Sequence, residues 1–211
     1  MSSLICERRG RVTLLTLNRE NKKNALSREL RDELVACLQS LRPEETGAVV
    51  LTGSGTVFCA GFDLAEFASG DMQAVFAHAT AYHHAVFTTP IPLIAAVNGP
   101  AYAGGFDLAA MCDVRIAGTS ARFAQPQVKM GIPAAYDLMR HVLPESVARE
   151  VCLTGEPLGS AMALQHGFVS QVVDDAEVLP TAMALAERVA DSKGAVAMKA
   201  RFVAAQPPLF G

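Results

Sequence analysis

The run Pro92-Leu-Ile-Ala-Ala-Val-Asn98 constrains this chain more than any other segment. Between Leu93 and Val97 it offers water no polar side chain on either face. A strand apolar on both faces must be covered on both, which is the condition of a central strand in a helix-covered, mostly parallel sheet. Gly99-Pro100 ends the run, and Gly104-Gly105 opens a helix through Met111. The same plan occurs earlier. Gly47-Ala-Val-Val-Leu-Thr52 is a short buried strand broken by Gly53-Ser-Gly55, and Val57-Phe-Cys-Ala-Gly-Phe-Asp-Leu64 leads into a short helix from Asp63.

The rest of the chain keeps this alternation. Arg11 to Asn18 alternates and is rich in β-branched residues, so it reads as a strand. Ser27 then caps a helix to about Leu41, with Leu30, Leu34, Val35 and Leu38 at helical spacing. Further helices are expected over 71–88, 134–142, 144–153, 160–166 and 175–205, with strands at 113–117, 121–124 and 168–173. Gly155-Glu-Pro reads as a helix-ending turn, and Ala205 to Gly211, with its Pro-Pro pair, as a surface tail. The expectation is an α/β fold in one domain over 1–211, with its core over about 11–173 and a helical C-terminal region over about 174–205.

Composition removes several function classes. The chain is 51% hydrophobic and 18% charged, which suits a packed core and not a disordered segment. Its net charge of -3 and the absence of a Lys/Arg block argue against nucleic acid. The longest apolar runs are broken by Pro, Gly or charge and are too short to span a bilayer. Met1 to Arg11 carries charge from Glu7 onward and lacks the apolar stretch of a signal peptide. The five cysteines form no C-x-x-C pair, so reduced thiols in a cytoplasmic protein are expected. No metal is expected: His83 and His84 project about 100° apart on a helix, a poor pair of ligands. Gly53-Ser-Gly-Thr56 is not a nucleophile elbow, and no histidine is placed in sequence to activate Cys59.

The two strand–turn–helix junctions remain as the place for chemistry. A helix N-terminus leaves N–H groups without internal partners and carries a partial positive charge. Two such termini aimed at one point would hold a carbonyl oxygen and favour it as it gains negative charge. By themselves, the glycines also fit simple chain-turning.

Taken in order, the segments resemble the crotonase (enoyl-CoA hydratase/isomerase) family. The resemblance rests on Leu17-Asn-Arg-Glu-Asn-Lys-Lys-Asn-Ala-Leu26, on Phe58 to Leu64, and on Asn98 to Arg115. It continues through Phe123-Ala-Gln-Pro-Gln-Val-Lys-Met-Gly-Ile-Pro133, Leu153 to Leu158, Ala163 to Gly167 and Val172-Val173, so that it covers about Arg11 to Met198. It implies a ββα superhelix, here with a shortened helical C-terminal region, that assembles as a homotrimer or a dimer of trimers. The acyl pocket would then be more open, or covered by a neighbouring subunit. It implies an acyl-CoA substrate, with coenzyme A entering as part of the thioester and no separate cofactor. The amides of Phe62 and Gly104 would form the oxyanion hole, with Gly105 among the residues that bind the substrate. Ala25, Ala60, Asp63 and Leu64 would line the adenine and pantetheine path, with Lys22 or Lys23 near a coenzyme phosphate.

Hydratases of this family commonly divide proton traffic between two glutamates. The first matching position here is Asp107, and the second is Gln127, an amide that orients water but removes no proton. An aspartate at the first position also resembles the dienoyl-CoA isomerase pattern, in which acids shuttle a proton along the acyl chain. Asp137 occupies a stretch where several crotonases place a further acid, and Tyr136 offers a hydroxyl such as the family's decarboxylases use. The expected function is an enoyl-CoA isomerase or hydratase working through a thioester enolate. A decarboxylase of the same fold and a non-catalytic acyl-CoA-binding protein stand as alternatives.

Overall fold

A computed structural model describes residues 2–67, 72–207 and Leu209. The chain opens with β1 (Leu4–Arg9), antiparallel to β2 (Val12–Leu17). From β2 onward the large sheet is parallel. Helix α1 (Arg28–Ser40) carries the chain to β3 (Ala48–Gly53). Helices α2 (Leu64–Phe67) and α3 (Met72–Phe87) carry it to β4 (Leu93–Val97). After β5 (Ala101–Tyr102) and α4 (Gly104–Met111) come β6 (Val114–Gly118) and β7 (Arg122–Ala124). Then follow α5 (Tyr136–Val142), α6 (Glu145–Thr154), β8 (Leu158–Gly159), α7 (Ser160–Gln165) and β9 (Gln171–Val173). The chain closes with α8 (Val178–Asp191) and α9 (Ala195–Ala205).

The large sheet has the order β1-β2-β3-β4-β6-β9, and a small one has the order β5-β7-β8. β4 lies inside the large sheet, paired on both sides and buried at all five positions, as its apolar run demands. Its two faces feed two cores. Ala95 and Val97 join Leu15, Leu51, Leu34, Tyr82 and Phe106 on one side. Ile94 and Ala96 join Leu14, Val50 and Ile116 under α8 on the other. Ala182, Ala186 and Ala190 recur every four residues along α8, so a small-residue stripe lets that helix lie close to the strands.

The structure departs from the sequence reading at both ends. β1 escapes notice because only Leu4 is buried in it; its other residues face solvent at a sheet edge. The helix expected over 175–205 is a 3₁₀ turn at Asp175–Glu177 followed by α8 and α9, parted at Ser192–Gly194. In the 168–173 stretch only Gln171–Val173 is strand. Phe168 instead stacks edge-on against Phe106 and Phe123 at 5.1 and 4.9 Å in the core. Asp71, Pro208, Phe210 and Gly211 lie outside the described residues. Among the described residues no helix is long and apolar enough to cross a membrane.

Candidate functional site

The two Gly-containing loops lie side by side. Cys59 and Ala101 form a parallel bridge in which Tyr102 N donates to Cys59 O (2.9 Å) and Cys59 N donates to Pro100 O (3.2 Å). The glycines answer to this closeness. Gly61 has φ +100°, and a Cβ there would lie 2.8 Å from Tyr102 O. A Cβ on Gly104 would lie 2.7 Å from the Phe62 ring, and one on Gly105 would lie 2.2 Å from Cys59 O. Side chains at these places would push the loops apart. Ala103, which precedes α4, is held at φ +49° although it is not glycine. Its N–H donates to Ala124 O (2.8 Å), and its carbonyl accepts from Phe106 N (2.9 Å) and Asp107 N (3.0 Å).

Leu26 passes the first loop and pairs around Phe62. Its N–H donates to Gly61 O (2.8 Å) and its carbonyl accepts from Asp63 N (3.3 Å), so Phe62 N is skipped. Neither Phe62 N nor Gly104 N has a hydrogen-bond partner among the described residues. Two unspent N–H donors on adjoining loops are suited to one anionic oxygen.

Both residues face a cavity of about 340 Å³ whose wall also includes Ala60, Leu64, Asp107, Gln127 and Met130. Phe62 lies edge-on to His83 at 5.8 Å and under the Arg31 guanidinium at 4.9 Å. Arg31 is itself fully buried and paired with Glu66 at 2.9 Å, which fixes the ring from behind. His83 also lines the cavity, and burial followed by the Arg31 charge pushes it down to about 4, so it stays neutral.

Asp107, in the first turn of α4, is 4% exposed. Its Oδ1 accepts a hydrogen bond from Gln125 Nε2 at 2.8 Å. Burial pushes the carboxyl up to about 7, with Gln125 pulling the other way. Gln125 Oε1 in turn accepts from Gln127 Nε2 at 2.6 Å. The result is a directed chain, Gln127 to Gln125 to Asp107, ending on the titratable group. Gln125 is fully buried and escaped the sequence reading. It follows the end of β7, where strand periodicity no longer assigns a side chain to a face.

Other expected residues fall into three groups. Ala60 and Leu64 line the cavity. Lys22, Ala25 and Asp63 are absent from its wall. The Lys23 carbonyl accepts from Ala60 N (3.0 Å), and Arg19 joins Ala25 O to Asp63, pairing with the latter at 2.8 Å. Burial raises the Asp63 carboxyl, but Arg19 and the Ala65 N–H more than offset that, so it titrates below its usual range. Arg19 was not anticipated. Gly105 and Asp137 need correction. Gly105 is buried in α4 against Cys59 O and is absent from the cavity wall. Asp137 is exposed on α5, whose buried face is Leu138 and Met139, and it is absent from the cavity wall. Tyr136 is likewise turned away, its hydroxyl donating to Glu145 at 3.3 Å. Burial pushes the Cys59 thiol up to about 12, which leaves no nucleophile there. No cluster of metal-ligating side chains occurs among the described residues.

Comparison with known proteins adds an independent line. The family model described as enoyl-CoA hydratase/isomerase matches residues 7–206. A probable mitochondrial enoyl-CoA hydratase of Dictyostelium discoideum is 38% identical over 189 residues, covering 87% of this chain and 68% of that one. The 2,3-dehydroadipyl-CoA hydratase of Escherichia coli strain K12 is 38% identical over 202 residues, covering 90% of this chain and 76% of that one. Among solved structures, enoyl-CoA hydratase of Mycobacterium smegmatis superposes with a TM-score of 0.89 at 33% identity, covering 96% of this chain and 82% of that one.

Proposed function

The chain belongs to the enoyl-CoA hydratase/isomerase family, the crotonases, and from that premise we propose that it moves a double bond in an acyl-CoA thioester, with Asp107 as the single proton carrier. The thioester carbonyl rests on the N–H groups of Phe62 and Gly104. As a proton leaves the acyl chain, charge gathers on that oxygen, where the two donors stabilise it most. Asp107 takes the proton from one carbon and returns it to another, so no net proton is exchanged with a second acid. A carboxyl near 7 is matched to that work, being present in both forms around neutral pH.

One observation carries the choice of isomerisation. Asp107 is the only carboxylate in the cavity wall among the described residues, and the second acid position is Gln127, tied back to Asp107 through Gln125. Hydration is the second reading, favoured by the hydratase names of the relatives. It would need Asp107 both to activate water and to hand on the proton. Decarboxylation has less support, since the described wall contains no Lys or Arg to receive a substrate carboxylate. Ala60 and Leu64 would flank the pantetheine arm, with Ala25, Asp63 and Lys22 outside them toward the nucleotide.

The test offers 3-enoyl-, 2-enoyl- and malonyl-CoA to the protein and follows products by mass spectrometry and chromatography. Conversion of 3-enoyl- to 2-enoyl-CoA faster than hydration is expected. Dominant hydration would replace the first reading with the second, and binding without turnover would remove both.

A further inference from the structure

β1 lies along α1 in matched register. Leu4 N donates to Glu33 Oε2 at 2.8 Å, and Ser2 Oγ donates to the same oxygen at 3.1 Å. Two residues further along the strand and four further along the helix, Cys6 and Cys37 meet, with Cys37 Sγ donating to Cys6 Sγ at 3.1 Å. The coincidence follows from the two rises. Two strand residues advance about 6.6 Å, four helix residues about 6 Å, and both steps return to the same face. Cys6 is exposed, while Cys37 is half-buried against the core. Neither has any part in the acyl-CoA site.

We propose that Cys6 and Cys37 are a reversible oxidation site, closed to a disulfide that staples the edge strand β1 to α1 by exchange with a low-molecular-weight disulfide. Cys6 acts first, being the exposed member of the pair. The Cys6 thiolate attacks one sulfur of the reagent, the reagent S–S bond breaks, and one reagent thiol leaves with a proton. Cys37 then gives up its proton, attacks Cys6 Sγ, and expels the second reagent thiol. Two protein thiols are oxidised by two electrons and one reagent disulfide is reduced to two thiols.

The second step sets the difficulty. Burial, then the neighbouring Cys6, pushes Cys37 up to about 12 in the free dithiol, and once Cys6 carries the reagent only burial still holds that thiol up. Well-placed neighbours reach effective concentrations on the order of 10⁵ M or more, which offsets the scarcity of thiolate. Closing from 3.1 Å to a bond asks for about 1 Å of side-chain travel.

The full chain is equilibrated with mixtures of oxidised and reduced glutathione, remaining thiols are alkylated, and intact mass and linked peptides are read. Wild type is expected to lose two hydrogens, to join the Cys6 and Cys37 peptides, and to melt several degrees higher until reductant is added. Cys6→Ser should give no adduct at Cys37, and Cys37→Ser should stop at a glutathione adduct on Cys6. A persistent Cys6 adduct in wild type, a disulfide between other cysteines, or a disulfide between two chains would overturn the proposal. Cys6 is exposed and Cys37 half-buried, and circular dichroism confirms that each variant is folded before it is scored.

Discussion

Asp107 concentrates the chemistry of the site. Its folded-state value of about 7 lies above the ordinary carboxylate range, so the stability due to its neutral form is whole below about pH 4 and lost as pH rises through 7. Asp107→Asn keeps the neutral form at every pH and can still accept from Gln125. It should therefore raise Tm at pH 8 by the equivalent of up to roughly 4 kcal/mol, with little change at pH 4, while turnover falls at least about a thousandfold. Equal Tm shifts at both pH values would show that Asp107 is not buried as a charge. For wild type, kcat/KM should rise with pH through about 7, as the base form accumulates. Gln125→Leu removes the donor that favours the ionised carboxyl, so the midpoint of that profile should move upward with KM little changed. An unmoved midpoint would reduce Gln125 to packing. Asp107 and Gln127 stood out in the sequence because they fall in ordered motifs, Asn98 to Arg115 and Phe123 to Pro133. Gln125 did not, since it lies just past the three-residue strand β7, where no periodicity announces which polar group it will meet across the core. Asp137 was misplaced because sequence spacing locates a residue on a helix but not which face the neighbours cover.

Among the elements, α9 shows best how packing decides what periodicity leaves open. Lys199, 1% exposed, pairs with Asp113 at 2.9 Å, and Asp113 also accepts from Leu93 N at 2.8 Å. This pair pins α9 to the point where β4 and β6 begin. Lys199→Met leaves the carboxylate poorly partnered and should cost about 3 kcal/mol in chemical denaturation, with part of the loss recovered by adding Asp113→Asn. A change within about 0.5 kcal/mol would make the pair a surface contact. A lysine in an alanine-rich helix gave no sign of such burial. The alanine-rich pattern on both sides of Ser192-Lys-Gly194 likewise reads as one helix, although that polar, glycine-containing step is where the chain breaks and turns α9 back toward Asp113. By contrast β4 and α4 were plain, because an unbroken apolar run followed by paired glycines admits few alternatives.

In the whole molecule, one parallel sheet separates two cores and brings the ends of β3 and β4 to the same region, where the two loops open onto a shared cavity. The α/β class and the order of elements were legible because buried parallel strands must be apolar on both faces. The edge strand β1 was hidden for the opposite reason, since one solvated strand satisfies no pattern strongly. The central claim is that Phe62 and Gly104 hold a thioester oxyanion while Asp107 alone carries the proton. Its most direct test is deuterium exchange at the carbon next to the thioester, followed in D₂O by mass spectrometry for wild type and Asp107→Asn, alongside acyl-CoA affinity. Rapid exchange in wild type, with exchange lost and affinity held within a few-fold in the variant, is the predicted result. Exchange at the same rate in both proteins would contradict it.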